Sequence, residues 1–183
     1  MGGHGSIATD YFVNQLIQLK TKLDRMNIVW AIFAGAASQA YGSTRKITDI
    51  DILVKKNDMK QIESTLGVEF HDNQASLGSI HLVSEVSCTK YGKTMRFFMD
   101  EKMEKRLAYK LLCGLEVPIM PLEDNIILKA VLSRGLDQGK YDLQDIVDMR
   151  ENAIDHEYLK KRILFYNVGE IVQQTLADLN VLT

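Results

Sequence analysis

Apolar residues recur over residues 10–27 at helical spacing: Phe12, Leu16, Leu19, Leu23 and Met26, with Lys and Asp between them. The pattern predicts an amphipathic helix ending near Asn27. Residues 28–34 then form a continuous apolar run rich in β-branched and aromatic side chains, bounded by Gly35. Such a run predicts a strand buried on both faces. Small residues follow over 35–41, tolerant of a short helix, until Gly42-Ser43-Thr44 breaks them. A second strand is predicted over 47–54. Asn57 is placed to N-cap a helix running to Leu66, with Gly67 just past its end. Residues 78–87 and 93–99 read as a strand pair joined through Tyr91-Gly92, and 101–112 as a charged, helix-forming stretch. Residues 115–120 predict a short strand at a sheet edge, because Pro118 lacks the N–H that a central ladder uses. Pro121 opens a helix carrying Ile126, Ile127, Ala130 and Val131, and further helices are predicted over 142–151, 157–166 and 170–179. Residues 1–9 are small and Gly-rich and read as a disordered tail.

This order predicts an α/β (α+β) fold with a mixed β-sheet. It forms one compact unit, with a core over 10–120 and a helical C-terminal part over 121–183 packed on it. A length of 183 residues suits one such unit. At 46% hydrophobic and 25% charged, the composition excludes a disordered chain. A net charge of −2 excludes a global positive field for gathering nucleic acid, though not a local patch. The longest apolar run, residues 28–37, falls well short of the ~20 residues of a membrane span. No secretory segment follows the start. Residues 1–6 fit the loose myristoylation pattern without a second membrane signal, so the chain reads as cytoplasmic. Cys88 and Cys113 then read as small, semi-buried hydrophobes in a reducing compartment.

Residues 34–54, AGAASQAYGSTRKITDIDILV, concentrate the candidate chemistry. Asp49 and Asp51 flank one apolar residue in a predicted strand. A period of two sets both carboxylates on one face, ~6–7 Å apart along the strand, with Ile50 and Ile52 on the other. Adjacent carboxylates repel each other unless a cation lies between them or one is protonated. A hard ion such as Mg²⁺ suits such oxygen ligands. Two solvated acids on an exposed strand would look the same in isolation, but the preceding residues add to the pair. Gly35 follows a buried strand and opens a short helical stretch, where free backbone N–H groups can seat a phosphate. Glycine also lets a ligand approach the backbone closely. Arg45, between that turn and the acids, suits a two-pronged contact with phosphate, or a surface ion pair with Asp49 or Glu63. His71 and His81 have no neighbouring ligand pattern and read as ordinary histidines. Trp30 reads as core.

Gly35-Ala36, Tyr41-Gly42, Arg45, Thr48 and Asp49-Ile50-Asp51 together resemble the signature of the nucleotidyltransferase superfamily with the DNA polymerase β-like fold. They look most like the small prokaryotic group that includes abortive-infection toxin nucleotidyltransferases. A second block in the same order is similar to that group's later helices: PLEDNIILK at 121–129, then Arg134, Lys140, Asp142 and Asp145. The resemblance implies a nucleotidyltransferase core and transfer of a nucleoside monophosphate from a nucleoside triphosphate to a hydroxyl acceptor, with release of pyrophosphate. The acceptor would be an RNA end, a protein hydroxyl or a small molecule. The resemblance gives Asp49 and Asp51 the catalytic, metal-binding role toward Mg²⁺ or Mn²⁺, and Gly35, Ala36, Arg45 and Lys129 the nucleotide. An antitoxin partner or a homodimer would also follow from it.

Two positions depart from the family pattern. Ala36 stands where a Gly or Ser is usual. The third carboxylate, expected on a later strand, falls on Arg96 by apolar framing, with Asp100 four residues further on. These departures favour an alternative in which the chain binds nucleotide without transferring it and serves as a regulator or toxin–antitoxin component. A plain interaction module is a third reading. Without the resemblance, Lys129 reads as a solvated helix lysine, and Asp142 and Asp145 as a solvated, salt-bridged helix face.

Overall fold

The computed structural model describes residues 6–182. The first helix, α1 (Ser6–Arg25), begins inside the segment expected to be a tail; residues 1–5 of that segment lie outside the described residues. Leu16, Leu19 and Leu23 form its buried stripe, and Asn27, in the left-handed conformation, ends the turn that follows. β1 (Trp30–Phe33) is buried throughout. It runs into α2 (Ala34–Ala40), then β2 (Ile50–Val54), α3 (Met59–Leu66), β3 (Gln74–Leu77) and β4 (Ile80–Val83). Gly67 closes α3 in the left-handed conformation, as the sequence predicts. Asn57 lies instead in a 3₁₀ turn (Lys56–Asp58), so it does not cap the helix.

A hairpin of β5 (Val86–Lys90) and β6 (Lys93–Phe97) stands apart as a two-stranded sheet. The strand expected over 78–87 is therefore split between two sheets. α4 (Glu101–Glu104) is a single turn, and β7 (Ala108–Leu112) and β8 (Leu115–Ile119) form a hairpin. This replaces the helix expected over 101–112. Cys113 and Gly114 both have positive φ, +52° and +80°. That is the two-residue turn geometry that matches the twist of antiparallel strands. Cys113, at the tip, is exposed rather than semi-buried.

The main sheet has the order β3-β4-β2-β1-β8-β7, mixed in direction. β1 runs antiparallel to β2 and parallel to β8, and β2 runs parallel to β4. β8 is thus an interior strand, not an edge. Its pairing with β1 is confined to Ile32–Ile119, with the Met120 N–H donating to the Ile32 carbonyl, so the missing N–H of Pro118 falls outside that ladder.

α5 (Leu122–Leu132) is followed by α6 (Asp142–Met149), α7 (His156–Tyr166) and α8 (Gly169–Asp178). α5 is buried from Leu122 through Val131, as expected of a helix at the centre of a core. Its polar residues each have a partner. Glu123 accepts from the Asp155 N–H at 2.8 Å. Asp124 receives Arg162 Nε at 2.6 Å, the Tyr158 hydroxyl at 2.7 Å and the Tyr166 hydroxyl at 2.8 Å. Arg162, 1% exposed, also reaches Asp100 at 2.6 Å. Asp100 in turn caps α4 by accepting from the Lys102 and Met103 N–H groups. This residue, weighed above as a spare acid, therefore ties the hairpin side of the core to the C-terminal helices. Among the described residues no helix is long and apolar enough to cross a membrane.

Candidate active site

Asp49 precedes the first residue of β2 and is exposed; Asp51 is inside the strand and half-buried. Ile50 and Ile52 are fully buried on the opposite face, as the period-two reading requires. Burial raises the Asp51 pKa above the ordinary carboxylate value and the charge of Asp49 raises it further, while His81, Lys129 and Arg134 pull it back. The two acids are therefore neighbours, and Lys129 and Arg134 of the helical half act on Asp51 electrostatically while pairing with other carboxylates.

Arg45 makes a two-pronged contact with Asp145, Nε to Oδ1 at 2.9 Å and Nη2 to Oδ2 at 3.2 Å. It pairs with neither Asp49 nor Glu63. Burial works against its charge, but Asp145, together with Asp49 and Asp142, more than offsets this and holds its pKa above the usual arginine value. Ser43 also donates to Asp145, at 3.2 Å. Lys129 stands between Asp142 and Asp145, 2.8 Å from each. Arg134 donates to Asp142 at 2.6 Å. Burial pushes the Asp142 pKa up, but Arg134 and Lys129 outweigh it and hold the carboxyl below its ordinary value. The result is a continuous chain of charges, Arg45–Asp145–Lys129–Asp142–Arg134, with three cations and two anions.

Asp142 and Asp145 are 1% and 0% exposed, so they are not the solvated face expected from their spacing. Lys129, at 3% exposed, is not a solvated helix lysine either. Arg45 and Arg134 are only partly buried, with side chains 24% and 37% exposed. Tyr141 lies against Arg45, its ring centroid 5.4 Å from the guanidinium carbon. Beside it opens a cleft of about 370 Å³, lined by Arg134, Lys140 and Tyr141 among others.

The turn before the acids is tighter than expected. A Cβ at Gly35 would overlap the Arg45 guanidinium, so the open side of this glycine is taken up by the chain's own arginine. Ala36 is buried, which leaves only its backbone to serve a ligand. Ala34, one residue earlier, has φ +55°, a conformation that costs a non-glycine residue ~1–2 kcal/mol.

Comparison with known proteins bears on this arrangement. No family model matches the chain, and no curated protein matches it. Solved structures do match. The antibiotic-resistance factor ANT(2'')-Ia, in its solution structure, superposes with a TM-score of 0.60 at 17% identity, covering 88% of this chain and 95% of its own. Its crystal structure in complex with adenylyl-2''-tobramycin gives 0.52 at 18% identity, covering 93% and 97%. A protein of Thermotoga maritima assigned to the nucleotidyltransferases gives 0.50 at 14% identity, covering 71% and 89%. The fold is that of the nucleotidyltransferases.

Within the nucleotidyltransferase fold, the structure gathers Gly35, Arg45, Asp49, Asp51 and Lys129 at one end of the sheet. It does not bring Arg96 there. β6 belongs to the separate hairpin, and Arg96 is exposed opposite Glu85 at 3.7 Å. The strand beside β2 is β4, and its residue in register with Asp51 is His81. Neighbours in register share a face. His81, set aside on sequence, therefore stands next to the acid pair, with Ser76 Oγ 3.0 Å from its Nδ1. The parallel pairing of β2 with β4 would have found it; the apolar framing of β6 did not. Asn125 was also missed. It is fully buried and bonded to Ala34 on both sides, and its one sequence signal is an amide inside an otherwise apolar helical run.

Proposed function

We propose that this protein is a nucleotidyltransferase that moves a nucleoside monophosphate from a nucleoside triphosphate to a hydroxyl acceptor. The observation that carries this reading is the Asp49–Asp51 pair electrostatically coupled to the Arg45–Asp145–Lys129–Asp142–Arg134 chain, whose Arg45 lies against Gly35. Anionic and cationic groups meet there as a triphosphate with a counter-ion would require.

The donor set fits a divalent cation. Both candidate ligands are carboxylates, and burial first, with the charge of Asp49 second, raises the Asp51 pKa, both of which a bound cation would counter. Among the described residues no group of three or more His, Cys, Asp and Glu forms a ready cage. Asp49 and Asp51 would hold Mg²⁺ or Mn²⁺, whose open positions suit phosphate oxygens. When bound, the ion supplies neutralisation of charge on the transferring phosphoryl group.

The protein's own groups position the reactants. Arg45 and Arg134 present N–H donors to the phosphates, each held by a carboxylate at its back. Lys129 adds positive charge from behind them. The acceptor oxygen bonds to the α-phosphorus, the bond from that phosphorus to pyrophosphate breaks, and the acceptor proton leaves to solvent. The chain does no covalent chemistry of its own. ANT(2'')-Ia holds an adenylylated aminoglycoside in its complex, and that likeness supports a small-molecule hydroxyl as the acceptor here. One observation favours a second reading, nucleotide binding without turnover: the strand beside Asp51 offers an imidazole rather than a carboxylate.

Calorimetric titration of ATP, GTP, CTP and UTP, each with Mg²⁺, into wild type and Asp49→Asn tests both. Metal-dependent binding by wild type that the variant loses is the expected result. Pyrophosphate release with a hydroxyl acceptor then separates transfer from binding alone. A wild type that binds none of the four overturns both readings.

A further inference from the structure

The turn that leads to Gly35 is held in shape from outside. Ala34 lies just past the last paired residue of β1, Phe33, which faces Asp51. It is the one alanine among the described non-glycine residues with positive φ. A single side chain grips its backbone on both sides. The Ala34 N–H donates to Asn125 Oδ1 at 2.8 Å, and Asn125 Nδ2 donates to the Ala34 carbonyl at 3.2 Å. Nδ2 also donates to Ser38 Oγ at 3.2 Å and approaches the Met149 sulfur at 3.3 Å. Ser38 Oγ gives its own proton to the Ala34 carbonyl at 2.9 Å, so it is an acceptor toward the amide. The Ala34 N–H needs an acceptor, which only the amide oxygen can supply, and this fixes the orientation of the Asn125 amide.

An amide that accepts from the N–H and donates to the C=O of one residue does what a residue on a neighbouring strand would do. Here it does so where the ladder has ended. Asn125 sits on fully buried α5, between Asp124 and Ile126. An aliphatic residue there would suit the surrounding core, and a glycine at 34 would take positive φ freely. The chain has instead an alanine held left-handed by a buried amide. The next residue is Gly35, whose open side receives the Arg45 guanidinium.

We propose that Asn125 is a positioning residue for phosphate binding. It keeps Ala34 left-handed and so sets the Gly35 backbone against Arg45, without itself touching the ligand. This rests on the nucleotidyltransferase reading above.

The test is a four-member cycle: wild type, Asn125→Ala, Ala34→Gly and the double variant. Each is titrated calorimetrically with inorganic tripolyphosphate in excess Mg²⁺, a probe that needs no choice of base, and each is melted without ligand. Asn125→Ala is expected to weaken binding about tenfold, the order set by releasing one left-handed alanine. Adding Ala34→Gly is expected to restore near wild-type affinity, because glycine adopts the turn unaided. The melting temperature recovers less, since the gap left in α5 remains. A purely structural asparagine would not show affinity rescued from position 34. Asn125→Ala binding like wild type, or a double variant as weak as Asn125→Ala, overturns the proposal. If Asn125→Ala does not fold, the double variant decides: folded and binding supports the clamp, and unfolded overturns it. A wild type that binds neither tripolyphosphate nor any of the four nucleoside triphosphates overturns the nucleotidyltransferase reading and the proposal with it, whereas one that binds a nucleoside triphosphate but not tripolyphosphate overturns this proposal alone.

Discussion

Asp51 shows at one residue how a buried carboxylate costs stability. Its carboxyl is half-buried beside Asp49, and both burial and that neighbour raise its pKa. Above pH ~4, the ordinary Asp value, the native state therefore holds more proton at this position than the unfolded chain does. Stability contributed here falls as pH rises from there through the folded pKa. Asp51→Asn removes the buried charge. It is expected to raise the melting temperature at neutral pH, with a gain that shrinks as the pH is lowered toward 4, and to abolish nucleotide transfer. Calorimetric melts across that range, with and without Mg²⁺, check it: Mg²⁺ should raise the melting temperature of wild type and not of the variant. A variant no more stable than wild type at pH 7 would mean that its carboxylate is already compensated. His81 matters at the same scale. Nothing adjacent in sequence ties it to Asp51, because the link is a register between two strands some thirty residues apart, set by side chains facing the core.

Among the elements, α5 and α6 carry the site's electrostatics, and here the sequence could be read only in part. The apolar spacing of α1, the buried run of β1, the Tyr91-Gly92 turn and the C-terminal helices are local patterns, and they are present in the structure. The β7–β8 hairpin was not legible. A Cys-Gly turn lacks the usual Asn or Asp, and the charged stretch before it has good helix-forming composition. Burial of Asp142 and Asp145 was not legible either, since their partners Arg45 and Lys129 come from distant elements. The Gly35, Arg45, Asp49 and Asp51 grouping was legible because it lies within one short segment. Asp145 deserves its own test, as it joins α6 to both α5 and the Arg45 loop. Asp145→Ala leaves Arg45 unpaired and Lys129 with a single carboxylate, and breaking a buried pair in this way typically costs ~3–5 kcal/mol. Denaturant unfolding should show that loss, whereas Asp148→Ala, on the same helix with a surface partner in Gln144, should shift stability by less than ~0.5 kcal/mol.

At the scale of the molecule, the sheet and the C-terminal helices interlock rather than abut. Arg162 ties α7 to Asp100 and to Asp124, Asn125 ties α5 to Ala34, and Asn152 donates to the Tyr41 carbonyl at 2.7 Å. Unfolding either half alone would strand buried charges in the other. Trp30 fluorescence, reporting on the sheet, and helical circular dichroism, reporting on helices of both halves, should therefore lose signal in one coincident transition. Two separated midpoints would show that the halves are independent. The same interlock bears on how the protein comes into being. Ala34 and Asn125 are 91 residues apart in the chain. On the ribosome, the acids, the glycine and Arg45 all emerge early, but the residue that shapes their turn follows only after three hairpins have been made. An incomplete chain would carry every candidate catalytic residue in a segment still free to sample other conformations. Any competence that rests on this turn would arrive late in synthesis, after most of the chain has been made.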